Sequence, residues 1–342
     1  MQIIIAMLVF SIIIFIHEFG HFIFARMNGI RVEEFAIGMG PKLFSKKKGD
    51  TLYSLRAFPI GGFCQMIGED ENSEDEDAFC NKGVFARFQV LFAGAFMNLV
   101  LGFVLLVIIG ITTGYATLKV EKVLDNSKAS VVGIQEGDTV IAINDVNLNS
   151  FSQIKNIMLF TERNDYKISL LRDGEIVDVP VEFKQNEQKM LGILSESKKD
   201  FLGSITNAFY SLIYLIELIL LSLKYLFAKL LAFQSVSKEV AGPVGIIGAI
   251  GAQYSAGLKA GIEVAISNVL YLTALLSINL GVINLMPFPA LDGGRIVMLA
   301  FEGIFKKPIN PKVEGIIHLT GFVILMALMA AIVINDIVKL VM

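Results

Sequence analysis

Residues 12–24 read IIIFIHEFGHFIF, and three of them, His17, Glu18 and His21, stand in a run otherwise fit only for hydrocarbon. A helix places residues i and i+4 on one face, so His17 and His21 present two imidazoles to one point. In the pattern His-Glu-x-x-His that point is a zinc ion, and the intervening glutamate is the general base for a bound water. Zinc lowers the pKa of that water towards ~7, so that Glu18 takes a proton from it and later passes one to a leaving amine. Ionisable groups inside a membrane segment are costly to bury and are functional by default. The chain has only three histidines, two of them in this motif; His318, alone at the start of the last apolar stretch, reads as an interfacial residue.

A catalytic zinc takes three protein ligands and leaves a fourth position open. The best third donor lies in the stretch NLGVINLMPFPALDGGRI at 279–296. Asp292 follows an apolar run broken by Pro287 and Pro289 and precedes Gly293 and Gly294. Broken helices at membrane depth are tolerated where they line a protein or water cavity, which makes an aspartate at such a break a ligand candidate.

The rest of the chain is read around this site. It has 342 residues, 54% of them hydrophobic, and a mean hydropathy of +0.66, which places it among membrane proteins. With a net charge of −3 and basic residues scattered rather than massed, nothing points to nucleic acid, and none is expected as a partner. Cys64 and Cys80 fit neither a zinc-site spacing nor a disulfide framework and read as ordinary thiols. The apolar N-terminus lacks a basic leader and a small-residue cleavage site, so a retained membrane helix is expected there.

Four stretches have the ~20 mainly apolar residues of a span: about Ile3–Phe24, Val90–Ile111, Ala265–Met286 and Ile316–Val338. A fifth, about Phe201–Phe233, carries Glu217, Lys224 and Lys229. The loop between the first two spans holds nine Lys and Arg residues from Arg26 to Arg87 and is therefore expected in the cytoplasm, with the N-terminus outside. The acidic run Glu69–Phe79 reads as a solvated surface segment. In the same loop, DTLYSLRAFPIGGFCQMIGE reads as two short strands joined by a turn at Pro59, Gly61 and Gly62. From about Tyr115 to Phe183 the pattern is that of a soluble domain, with four alternating strands and a helix at SFSQIKNIMLF. Its element order resembles a circularly permuted PDZ domain of the bacterial type. Such a domain takes an extended peptide as an added strand or acts as a steric filter, and both remain open here.

HEFGH early, FAGAFMN in the second span and NLMPFPALDGG late resemble the site-2 protease family of intramembrane zinc metalloproteases, and more narrowly its bacterial regulator-of-sigma-factor members. The likeness covers nearly the whole chain, including FPIGGFCQMIGE and GPVGI at Gly242–Ile246. It implies one Zn2+ per chain held by His17, His21 and Asp292, with Glu18 as base. It also implies that Asn284 and Asn98 serve substrate binding near the metal, together with Pro287. The hairpin, about 51–67, with Gly61, Gly62 and Phe63, is implied to be a membrane re-entrant loop that pairs with an unwound substrate. A single PDZ segment stands where the Gram-negative members carry two.

The fold class expected is a mainly α-helical multi-pass membrane protein with four transmembrane helices, a re-entrant β-hairpin and an inserted PDZ domain. Residues 1–114 form the first part of the protease core, 115–188 the PDZ domain, 189–264 an amphipathic membrane-surface segment and 265–342 the second part of the core. Since zinc ligands meet at one depth, the third span must run the same way as the first, and Phe201–Phe233 is expected to lie on the outer surface without crossing. The activity implied is cleavage of single-span membrane proteins already trimmed by another protease, within the bilayer of a bacterial inner membrane, with the PDZ domain and both termini extracytoplasmic. Two rivals are a zinc-binding or transporting membrane protein without hydrolytic activity, and a membrane-tethered PDZ adaptor. An intact Glu18 beside two intact histidines argues against both.

Overall fold

The computed structural model describes residues 2–69, 73–161, 163–184, 189–232, 242–307 and 311–341. Three residues of the acidic run and Phe233 of the fifth apolar stretch lie outside them. Along the chain run α1 (Gln2–Met27), β1 (Val32–Lys48), β2 (Thr51–Met66), α2 (Val84–Thr112), β3 (Tyr115–Val123), α3 (Lys128–Val131), β4 (Thr139–Ile143), β5 (Val146–Asn147), α4 (Phe151–Phe160), β6 (Asp165–Arg172), β7 (Glu175–Glu182), β8 (Ile193–Lys198), α5 (Phe201–Leu231), α6 (Pro243–Ala260), α7 (Ile262–Asn284), α8 (Asp292–Phe305) and α9 (Pro311–Val341). They form two compact units, Met1–Gly102 with Ile219–Met342, and Phe103–Leu218.

Among the described residues, five helices are long and apolar enough to cross a membrane: α1, α2, Phe201–Lys229 within α5, α7, and Val313–Ile334 within α9. The sequence reading counted four. The fifth is the stretch set aside on topology, and its length and apolar composition match those of a span.

In the first unit, α2 runs against α1. Its Ala93 and Gly94 face Gly20 and His21, Asn98 meets His17, and Leu101 reaches the cluster of Ala6, Val9 and Ile13. α7 runs with α1. Its first half is tied to α6 by Asn268 Nδ2 donating to the Gln253 carbonyl at 3.1 Å, and α6 is tied to the start of α1 by Gln2 Nε2 donating to Ser255 Oγ at 3.1 Å. At the other end, Asn284 comes to His17. α9 passes the 287–292 loop at His318 and Gly321, and about 27 Å further along its axis Asp336 meets the start of α6. Its carboxylate accepts from the N–H groups of Gly242 and Gly245, which closes the open first turn of α6. Both ends of α6 are therefore held at the level where α1 and α7 begin.

The hairpin differs from its sequence reading. Residues 51–66 form one strand rather than two, and the turn is Gly49–Asp50 rather than Pro59–Gly62. The partner β1 begins at Val32, in a stretch whose Gly38, Gly40 and Pro41 read as loop punctuation. Those residues and Gly61 mark a fold in each strand: Phe35 lies opposite both Cys64 and Tyr53, and Ser54 opposite both Ala36 and Ser45. The segments lie in the order 62–66, 32–37, 52–55, 44–48, with 62–66 at one edge. Val32, Phe35, Cys64 and Met66 bury the sheet against Ala25, Val90 and Leu299, and Phe22 and Tyr53 add aromatic contacts to Phe35.

Glu34 is the sheet's buried acid. It accepts from Ser54 Oγ at 2.6 Å and Arg56 Nη2 at 2.8 Å on one oxygen, and pairs with Lys42 Nζ at 2.9 Å on the other. Burial works against its charge, but these three donors outweigh it and hold the carboxyl at about 2, below the ordinary 4.5. A folded-state value below the unfolded one stabilises above pH 4.5 and loses that stabilisation as pH falls towards 2. Acidification through this window is expected to raise hydrogen exchange in 32–66, and Glu34→Gln should flatten the response.

The second unit is a sheet in the order β7-β6-β4-β3-β8, with β5 beside β4 and all pairs antiparallel. Its strands and α4 stand in the expected chain order around a core of Val140, Ile143, Ile154, Ile168, Leu170 and Val181. The sheet continues past residue 188, the expected domain end, because β8 pairs with β3. α4 starts at Ser150, where the Gln153 side chain accepts from the Ser150 N–H at 3.0 Å. Asp138, 2% exposed, holds Arg172 in a two-pronged pair, Nε to Oδ1 at 2.8 Å and Nη2 to Oδ2 at 2.7 Å. Asp138→Ala removes both prongs, leaving Arg172 with the Gly133 carbonyl alone, and takes the acceptor from the buried Gln135 N–H, so the unfolding temperature of this unit should fall.

Candidate metal centre

Three donors from distant parts of the chain converge. His17 Nε2 and His21 Nε2 lie 3.2 Å apart, and Asp292 Oδ2 is 3.3 Å from the first and 3.4 Å from the second. In a tetrahedral zinc site with bonds of ~2.0–2.1 Å, neighbouring ligand atoms are about 3.3 Å apart, so the triangle has the size a zinc ion requires. Asp292 Oδ2 is also buried with no hydrogen-bond partner, which a metal bond would satisfy. Among the described residues this is the one group of three such donors within reach of each other.

The outer contacts set which nitrogen faces the metal. His21 Nδ1 is 2.8 Å from the Val90 carbonyl, an acceptor only, so its proton sits on Nδ1 and Nε2 offers a lone pair. The carboxamide of Asn98, fully buried on α2, lies 3.3 Å from His17 Nδ1 through its Nδ2, while its Oδ1 has no partner. Turning the amide by 180° lets Oδ1 accept the His17 Nδ1 proton and frees Nε2 for the metal. Ser277 on α7 donates to the Asn98 carbonyl at 2.8 Å and fixes α2 against α7 there.

α1 supplies His17, Glu18 and His21 from successive turns, as the spacing predicts. Asp292 arrives differently. α7 ends at Asn284, residues 285–291 form a tight loop, and Asp292 opens α8. A Cβ on Gly293 would lie 2.3 Å from the Met286 carbonyl oxygen, and one on Gly294 2.4 Å from that of Phe288. The loop can fold over the start of α8 only with glycine at both positions.

The other expected residues divide. Asn284 Nδ2 lies 3.3 Å from His17 Nε2, at the metal-facing side. Gly62 brings the sheet edge to Glu18, whose Cγ would lie 3.5 Å from a Cβ built there. Gly61 bends β2 at φ +94°, and Phe63 carries the Arg56 guanidinium 4.7 Å above its ring. Pro287 sits on the exposed part of the 285–291 loop.

Sequence reasoning missed two residues. Gly94 of α2 faces both imidazoles, and a Cβ there would lie 2.3 Å from His21 Nε2. The glycine between two alanines in FAGAF was the available signal, since it marks a close approach. His318 is no interfacial bystander: its Nδ1 accepts from the Ala290 N–H at 3.3 Å, two residues before Asp292, where Ala290 holds φ +80°. Only the folded chain brings it there.

Comparison with known proteins agrees with this centre. The model of peptidase family M50 matches residues 5–328. A protein of Clostridium acetobutylicum with a provisional zinc metalloprotease name is 37% identical over 342 residues, covering 98% of this chain and 97% of the relative. The zinc metalloprotease RasP of Shouchella clausii is 32% identical over 420 residues, with 97% of each chain covered, and that of Bacillus licheniformis 31% over 421, covering 97% of this chain and 98% of the relative. A donor triangle of zinc dimensions, with a glutamate beside it on a membrane-length helix, thus sits in a chain that belongs to peptidase family M50, the site-2 protease family of zinc metalloproteases.

Proposed function

We propose that the protein is an intramembrane endopeptidase that cuts within the membrane segment of single-span proteins already shortened by another protease. The observation that carries this is the 3.2–3.4 Å triangle of His17, His21 and Asp292, two corners of which stand on α1, a helix of membrane length. When bound, the zinc acidifies a water molecule and polarises the scissile carbonyl. Glu18 receives the water's proton and delivers it to the leaving amine. The Asn284 amide, beside His17 Nε2, donates to the carbonyl oxygen as charge builds on it. Asn98 keeps His17 in the tautomer that binds.

The 62–66 edge beside Glu18 receives the substrate as an added strand, with Gly61 and Gly62 allowing close backbone approach and Phe63 and Pro287 flanking it. A substrate helix must unwind to pair there, so residues of low helix propensity near the scissile bond favour cleavage.

Four spans fit the packing best. α1 and α7 run in one sense, and both ends of α6 are held at the level where they begin. The chain therefore leaves α2 and returns to α7 on one side, and α5 does not cross. The basic loop between α1 and α2 favours the cytoplasm for its own side of the membrane, and the strands and helix of 115–188, PDZ-like by their order, are read as extracytoplasmic. There they exclude substrates with bulky ectodomains.

The test is the zinc-loaded chain in liposomes with a single-span peptide carrying Asn-Gly in its membrane segment, and a polyleucine version. Mass spectrometry should locate a cut inside the span of the first peptide, at a rate several-fold above the second. Cuts only outside the span would sink the proposal. Cysteines at the two ends of α5 should label from the same side.

A further inference from the structure

The basic residues from Arg26 to Arg87 fall into two sets. Arg31 pairs with Asp75 and Asp77, Lys42 and Arg56 with Glu34, Lys82 with Asp77, and Arg87 with Glu302. Arg26, Lys46, Lys47 and Lys48 have no carboxylate partner among the described residues. Two of these four, Arg26 in the last turn of α1 and Lys48 at the end of β1, line one open cleft of 560 Å³ whose other walls include Phe22, Ile23, Met27 and Tyr53.

We infer that this cleft holds an anionic phospholipid, its phosphate between Arg26 and Lys48 and an acyl chain lying along the Phe22–Ile23 side of α1. Two like charges share the cleft, and an anion between them turns a repulsion into two attractions. The C-terminal end of α1 accounts for one cation, since its carbonyls favour Arg26, but not for Lys48 on a different element. The apolar wall belongs to the final turns of a membrane-length helix, where headgroups meet hydrocarbon. A free phosphate would satisfy the cations and leave that wall uncovered. Basic residues beside a span draw anionic lipids from the leaflet they face. The lipid would staple the Lys48–Gly49 corner of the hairpin to α1, and so steady the same sheet that meets Glu18 through Gly62. The binding does not depend on the proteolytic reading.

The test uses the full-length chain in detergent, with native mass spectrometry after exposure to equal phosphatidylglycerol and phosphatidylcholine. Wild type should retain roughly tenfold more of the anionic lipid, and Arg26→Gln with Lys48→Gln should remove that preference. Lys306→Gln with Lys307→Gln, a change of equal charge elsewhere, should keep it, as should the charge-preserving pair Arg26→Lys and Lys48→Arg. Unfolding temperature in phosphatidylcholine checks that the variants fold. Equal retention of the two lipids by wild type, an unchanged preference in the Arg26/Lys48 double variant, or the same loss at Lys306/Lys307 overturns the site. So does a stabilisation by inorganic phosphate as large as that by phosphatidylglycerol.

Discussion

Glu18→Gln should leave zinc bound and slow peptide cleavage by about 10³-fold, the scale of a lost general base. Glutamine keeps the shape of the side chain and so leaves α1, Gly62 and the three donors where they are. What it loses is the capacity to take a proton. His17, His21 and Asp292 converge on its side of α1, and Glu69 is held by Arg295. The two histidines and Asp292 spend their lone pairs on the metal, so none of the three substitutes for the missing base. Zinc content by elemental analysis and single-turnover cleavage of the model span together decide the matter. Equal zinc with equal cleavage would remove Glu18 from the chemistry, whereas loss of zinc would point to a structural role instead.

Gly94→Ala should abolish both zinc and activity while sparing the fold. The added methyl would stand 2.3 Å from His21 Nε2 and 2.7 Å from His17 Cε1, inside the space where the ligand atoms converge. Real Cβ atoms do not approach so closely, so either the imidazoles turn away or α2 retreats, and the donor triangle opens in both cases. Alanine raises intrinsic helix stability over glycine by about 1 kcal/mol, which separates this outcome from simple unfolding. Circular dichroism and unfolding temperature of the zinc-free chain should match wild type, with zinc stoichiometry reduced more than tenfold. A variant that binds zinc normally would show that α2 does not bound the metal centre as described.

How far the sequence foretold the molecule differs by element. His17, Glu18 and His21 were legible because a helix converts a spacing of four into a shared face, and Asp292 because two prolines and two glycines announce a break that apolar composition cannot hide. The second unit's strands were legible through their alternation, except β8, whose sequence ILSESK is too polar to stand out and is recruited by β3. β1 received no element from the sequence. Its glycines and proline, read locally, signal loop, but the sheet uses them to fold each strand over so that one segment has neighbours on both sides. His318 and Gly94 belong to a further class, since nothing in their own neighbourhoods says what will pack against them. α5 shows the limit of hydropathy, since length and composition alone qualify it as a span, and the case against its crossing comes from where α6 is tied.

The metal centre also dictates when the protein can act. Asn284 and His17, which meet at the metal, are 267 residues apart in the chain, and Gln2 waits for Ser255, 253 residues away. At ~5–20 residues per second, the histidine pair leaves the ribosome roughly 15–50 s before its third ligand exists. α6 gains its Asp336 clasp later still, near the end of α9. A nascent chain therefore lacks its third metal ligand until Asp292 is made, and α9 closes over the finished centre afterwards.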